Sequence, residues 1–278
     1  MNLRHALPVT LVASTLLLAA CSADADAEAS GDASAAAGTD TSLTDVQDAG
    51  VLVVGTEGTY RPFTFHADGA GDLTGYDVEV ARAVADELGV EVEFQETQWD
   101  ALLTGLEAGR FDAVFNQVGI TPEREGTYTF STPYTFSNGV LVTTEDNTEI
   151  SSFDDLEGRT LAQSLTSAFG QQAKDAGAKI EAVEGWAQSV ELLQQGRVEA
   201  TINDKLTWLD YVTTNGENGL KVAAETDDYS RSAVALAGGD QALADAISDA
   251  LATLAEDGTL AEISNEFFGA DVSVEPAA

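Results

Sequence analysis

The sequence predicts an α/β chain folded as two lobes, each a mainly parallel sheet flanked by helices and joined to the other by two crossing segments. Three observations carry this. Strand-like and helix-like segments alternate along the chain, which argues for parallel sheets covered by helices. One unit of helix, glycine and strand is written twice, as WDALLTGLEAGRFDAVFN (99–116) and WAQSVELLQQGRVEATIN (186–203), without a gap and 87 residues apart. Finally, the text after the second lobe still holds one strand and two helices. That is more than one lobe needs, so the chain returns to the first, and two crossings make a hinge.

The 278 residues suffice for two modest domains, and 44% apolar residues can build real cores. Against 48 Asp+Glu stand only 12 Lys+Arg, for a formal net charge of -36. Such a surface repels phosphate backbones and excludes nucleic acid as a main partner. No loop has the carboxylate spacing of a calcium site, and no cofactor or metal is expected.

Residues 1–20 read as an export leader: Arg4, an apolar run over 6–18, then small residues. Leu18-Ala19-Ala20-Cys21 resembles the bacterial lipobox, so Cys21 is the expected lipidation site. As the sole cysteine it also excludes a disulfide within one chain. Residues 21–44 are small and acidic and read as a tether. The first lobe is expected from 45–140 with 231–273, the second from 141–230, and 274–278 form a tail.

Within the first lobe, 51–54 is an apolar run bounded by glycine, a buried strand, and 55–60 is the loop at its carboxyl end. A hairpin is expected over 63–73 and a helix over 76–88, with Gly89 as its stop. A strand over 90–94, the Trp99 helix and a strand over 111–115 follow. The second lobe reads as a strand over 160–162, a helix over 166–175, a strand over 180–183, the Trp186 helix and a strand over 198–202. The tail segments are a strand over 232–237 and helices over 240–257 and 259–268, and the crossings are placed near 139–144 and 222–232.

GTEGTYRPF (55–63), GYDVEVARAVADELG (75–89), QWDALLTGLEAGRFDAVFNQVGITPER (98–124), FSTPY (130–134) and DGTLAEISNEFFGADV (257–272) resemble the polar amino-acid binding proteins of bacterial ABC importers. GTEGTY, NQV-x-IT and FGADV are most similar to the cystine-binding branch. The resemblance implies a periplasmic-binding-protein-like fold of the second type. It further implies a monomer, held by lipid at the outer face of the cytoplasmic membrane, that delivers an amino acid to an ABC permease and ATPase.

A free amino acid is a zwitterion and needs a cation and an anion from its site. Arg124 has the bidentate fork for the carboxylate and opens a helix after Thr121 and Pro122; a surface pairing with Glu123 or Glu125 is the alternative. Asp204 ends the second copy of the repeat, at the carboxyl end of a strand, and the resemblance makes it the ammonium partner; capping of the following helix is its other reading. Thr166 and Ser167 open a helix, where backbone N–H groups suit the carboxylate from the second lobe, or merely cap it. By the family pattern Tyr60 and Trp99 wall the ligand, although Trp99 could equally be core. Glu57 reads an ammonium or a distal group, while Gln117 and the backbone of Gly119 line the same loop. The family commonly has a hydroxyl where Gly119 stands, so one ammonium acceptor is missing here. A dehydratase-type enzyme using Glu57 and Asp204 as acid and base, or a sensory module without a permease, are the rival functions.

Overall fold

The computed structural model describes residues 39–276. The leader (1–20), Cys21 and the greater part of the expected tether lie outside these residues. The described chain opens with α1 (Ser42–Ala49) and β1 (Val51–Thr56), followed by a small antiparallel sheet of β2 (Thr59–Tyr60), β3 (Thr64–His66) and β4 (Leu73–Thr74). Next come α2 (Tyr76–Leu88), β5 (Glu91–Glu96), α3 (Trp99–Glu107), β6 (Ala113–Gly119), α4 (Pro122–Glu125) and β7 (Thr129–Phe130). The long β8 (Thr135–Thr144) leads to β9 (Thr160–Gln163), α5 (Ala168–Asp175), β10 (Lys179–Ala182), α6 (Trp186–Gln194), β11 (Ala200–Asp204) and α7 (Lys205–Asn215). The longer β12 (Leu220–Leu236) runs back to α8 (Gln241–Glu256) and α9 (Thr259–Phe268).

The strands pair in the order β10-β9-β11-β8-β12-β6-β1-β5. At one end β1 pairs in parallel with β5 and β6, and at the other β9 pairs in parallel with β10 and β11. Between these groups β8 and β12 pair antiparallel with each other and with β11 and β6. The parallel halves are therefore two lobes of one hydrogen-bonded path, not two separate sheets. The segment expected as a free crossing, 222–232, is mostly strand, with register shifts between Val222 and Ala224 and between Glu225 and Tyr229. Within TDDYSR (226–231), Tyr229, Ser230 and Arg231 pair with Asn138, Ser137 and Phe136 of β8, while 226–228 fall in the second register shift.

Both copies of the repeat fold alike. Trp99 and Trp186 are each the first residue of a nine-residue helix, and Gly109 and Gly196 take φ 66° and 67°. That left-handed backbone turns each helix into its strand at little cost only for glycine. Each strand begins two residues later than the apolar text suggests, at Ala113 and Ala200. The residue before, Asp112 or Glu199, carries a carboxylate that accepts a backbone N–H, from Val53 at 2.8 Å and from Thr160 at 2.9 Å. One device thus ties the repeat to the first strand of each lobe.

The first lobe buries α2, α8 and α9 against β1 and β6 through Val80, Val84, Ile247 and Leu251. The second buries Leu141, Leu161 and Ile202 on one side of its sheet and Val142, Val190 and Trp208 on another. The body starts earlier than expected, inside the segment read as tether. Asp40 accepts from Ala242 N at 2.6 Å and Ser42 Oγ from Leu243 N at 3.1 Å, so this segment caps α8 from outside.

Gly75, just before α2, takes φ 125°, and a Cβ there would lie 2.3 Å from the carbonyl oxygen of Phe63. Gly75→Ala should destabilise the protein by about 2–4 kcal/mol in urea unfolding, through strain and overpacking together. A loss below ~1 kcal/mol would show that this turn relaxes freely.

Candidate functional site

A cavity of about 560 Å³ lies where the carboxyl ends of the parallel strands of both lobes converge. Tyr60, Trp99, Phe169 and Trp186 supply its apolar walls; Arg124 is its one basic residue, and Asp204, Glu57, Glu96 and Glu184 are its acidic ones. Contacts already span the two lobes. Tyr60 donates to Asn203 Oδ1 at 2.9 Å, and Arg61 approaches Asp210 at 3.4 Å.

Thr121 caps α4 by accepting from Arg124 N at 3.3 Å, and Pro122 holds the first helical position. This short turn aims the Arg124 side chain into the cavity, where the residue is only 8% exposed. It is neither the surface arginine of the alternative reading nor a solvent-facing one. Nη1 donates to Gly119 O at 2.8 Å and Nη2 to Thr166 O at 3.0 Å, and the guanidinium carbon sits 5.5 Å from the Trp99 ring centroid. Burial pushes the guanidinium pKa down from its ordinary value. No ion pair to a carboxylate neutralises it among the described residues.

Asp204 is the last residue of β11 and the N-cap of α7. Both of its sequence-level readings coexist: it faces the cavity, and Oδ1 accepts from Leu206 N and from Ser137 Oγ, each at 2.7 Å. Burial raises its pKa to about 6, with Ser137 and Leu206 N opposing the rise. Glu57 also lines the cavity and accepts from Asn116 Nδ2 at 2.6 Å, while Asn116 Oδ1 accepts from Glu57 N at 2.8 Å. Burial lifts Glu57 to about 7; the Asn116 bond opposes this, and Asp100 and Glu184 add to it.

The remaining expected residues are placed differently from one another. Trp99 and Tyr60 line the cavity, and the Tyr60 ring also packs against Phe63, tilted by 47° at 5.1 Å between centroids. Gln117, at φ 50°, lines it too; its Nε2 donates to Asp77 Oδ1 at 2.7 Å and Thr135 Oγ1 at 3.0 Å, while its Oε1 has no partner among the described residues. Of the two readings of Thr166 and Ser167, capping is the one Ser167 performs, while it also lines the cavity. The helix begins at Ala168, and Ser167 caps it by accepting from Gly170 N at 2.9 Å. Thr166 presents its N–H and hydroxyl to Asp100 Oδ1 of the other lobe, at 3.2 and 2.6 Å. The donor expected for a ligand carboxylate is therefore held by a protein carboxylate, because Asp100 sits in the first turn of α3 and faces this loop.

Several residues of the site were missed. Ser137 orients Asp204, and Ser230 and Ser232 line the cavity from β12. Asp77, fully buried beneath Gln117 and raised to about 7 by burial, also accepts from Tyr134 at 3.0 Å. Among the described residues no cluster of three His, Cys, Asp or Glu is placed to hold a metal ion.

The family model of bacterial extracellular solute-binding proteins, family 3, matches residues 52–270. The L-cystine-binding protein TcyA of Bacillus subtilis is 47% identical over 268 residues, covering 96% of this chain and 98% of that one. An ancestral arginine-binding protein bound to arginine matches at 35% identity and TM-score 0.74, over 79% of this chain and 99% of its own. The L-cystine solute receptor of Neisseria gonorrhoeae in the unliganded open conformation is 47% identical, over 84% of this chain and 99% of its own, with a TM-score of only 0.56. The backbone thus agrees better with the bound protein than with the open one, although the open one is nearer in sequence. A two-lobed α/β body with strand ends converging on one charged cavity, matched over most of its length by these proteins, belongs to the bacterial extracellular solute-binding proteins, family 3.

Proposed function

We propose that this chain captures a zwitterionic amino acid between its lobes, with L-cystine the best-supported ligand, and delivers it to an ABC permease. The observation that carries this is the pair of opposite, buried charges facing one cavity from different lobes: Arg124 at 8% exposure and Asp204 at 5%. Each is desolvated without an ionic partner, which is costly unless something of opposite charge arrives. An α-carboxylate on Arg124 and an α-ammonium on Asp204 satisfy both at once. Only the closed arrangement offers both poles to one ligand, so binding shifts the lobes towards closure. The names of TcyA and of the Neisseria receptor support cystine, whose length suits a cavity of about 560 Å³ with aromatic walls.

In this reading Arg124, Asp204, Tyr60, Trp99 and Glu57 touch the ligand. Gly119 offers its backbone, Gln117 supports the loop, and Ser167 shapes the wall. Thr166 reaches the ligand only if Asp100 lets go. We assign 45–140 with 231–273 to one lobe and 141–230 to the other, α1 and its capping segment joining the first. Cys21 is proposed as the lipid attachment, holding a monomer at the outer face of the membrane.

The direct test is calorimetric titration of the full chain with L-cystine and the common amino acids. Binding of cystine supports the ligand, binding of another amino acid retains capture but replaces cystine, and no binding overturns the reading. Arg124→Ala should weaken binding by about 3–5 kcal/mol, roughly a hundred- to several-thousand-fold, while the chain stays folded by circular dichroism. The pH dependence follows from Asp204, which must be ionised to hold an ammonium. With its empty-site pKa near 6, affinity should be full at pH 8 and fall as pH drops through 6, towards about tenfold per unit below it. Asp204→Asn should weaken binding at pH 8 and flatten this profile between pH 5 and 6.5, measured on the same calorimeter.

A further inference from the structure

The floor of the cavity is a row of small residues on one face of the sheet. In the antiparallel register Ser232 pairs with Gly119 of β6, Ser230 with Ser137 of β8, and Gly139 of β8 with Asp204 of β11. Alternation along a strand puts Ser230 and Ser232 on one face and Arg231 on the other, and Arg231 accordingly reaches out to Glu275 at 3.0 Å. The row therefore runs from Gly119, whose carbonyl holds Arg124, to Asp204.

The hydroxyls of this row are not equivalent. That of Ser137 is committed to Asp204 at 2.7 Å. Those of Ser230 and Ser232 line the cavity without a hydrogen-bond partner among the described residues. Ser230 is placed tellingly: a Cβ built on Gly119 would stand 3.5 Å from its Oγ and 3.8 Å from Arg124 Nη1. Residue 119 thus has room for a side chain, and none is forbidden by its backbone. The polar group at that spot is instead the hydroxyl of Ser230, supplied from the strand that joins the lobes.

An α-ammonium brings three N–H donors and each needs an acceptor when water is excluded. Asp204 offers Oδ2, and Gly119 O already receives Arg124. Resting on the capture function proposed above, we infer that Ser230 is a ligand-positioning residue, its Oγ accepting from the α-ammonium between Arg124 and Asp204 in place of a side chain at position 119. Because Ser230 belongs to the strand shared by both lobes, this contact forms whichever lobe the ligand meets first.

The test is titration of wild type, Ser230→Ala and the double variant Ser230→Ala with Gly119→Ser, each with L-cystine and L-arginine, with melting temperatures recorded alongside. We expect Ser230→Ala to weaken the binding seen in wild type by roughly tenfold or more, as for a hydrogen bond to a charged group, at an unchanged melting temperature. Gly119→Ser should restore most of that loss, since its hydroxyl enters the same space; a merely structural serine would not be rescued this way. Unchanged binding by Ser230→Ala, or a loss that Gly119→Ser leaves in place, overturns the inference while wild-type binding keeps the capture reading intact. A wild type that binds neither of these nor any other common amino acid overturns both.

Discussion

Arg124 is buried with no carboxylate paired to it among the described residues, and much of the cavity is organised around that fact. A guanidinium removed from water loses several kcal/mol of hydration, and ordinary proteins offset this with an ion pair. Here two backbone carbonyls, one from each lobe, and the face of Trp99 take up the charge. Asp204 faces the mirror problem and leans on a hydroxyl and a helix N-terminus. Both poles are held in shape by neutral groups, so neither is paired with an opposite charge among the described residues.

The same logic accounts for what the two copies of the repeat kept and what they changed. Trp99 and Trp186, Gly109 and Gly196, and Asp112 and Glu199 do the same structural work in each lobe. The asparagines that end the copies have parted. Asn116 braces the loop carrying Glu57, whereas Asn203 receives Tyr60 from across the cleft. The two copies share a frame and differ at the rim.

Local chemistry made part of this legible in the sequence. Thr121-Pro122 announces a helix start, so the position of Arg124 could be read, and the helix expected over 259–268 spans Thr259–Phe268. The burial of Arg124 could not be read, because it depends on a second lobe closing over it. Nor could the roles of Ser137 and Ser230: small hydroxyls carry no pattern, and their meeting rests on a register with two bulges. Asp100 was hidden for a related reason. It reads as a helix-start acid, and only the placement of the lobes brings Thr166 to it.

The shared strand has one more consequence, for how the chain reaches this form. The second lobe's β9 to α7 lie in one continuous stretch, so much of its core needs only nearby contacts. The first lobe waits for β12 to cover the edge of β6 and for α8 and α9 to seal α2. Closing those loops is slow in entropic terms, and until it happens β6 presents an open strand edge. Covering that edge is therefore the long-range step of this fold, whereas the second lobe's core closes mainly on contacts within one stretch.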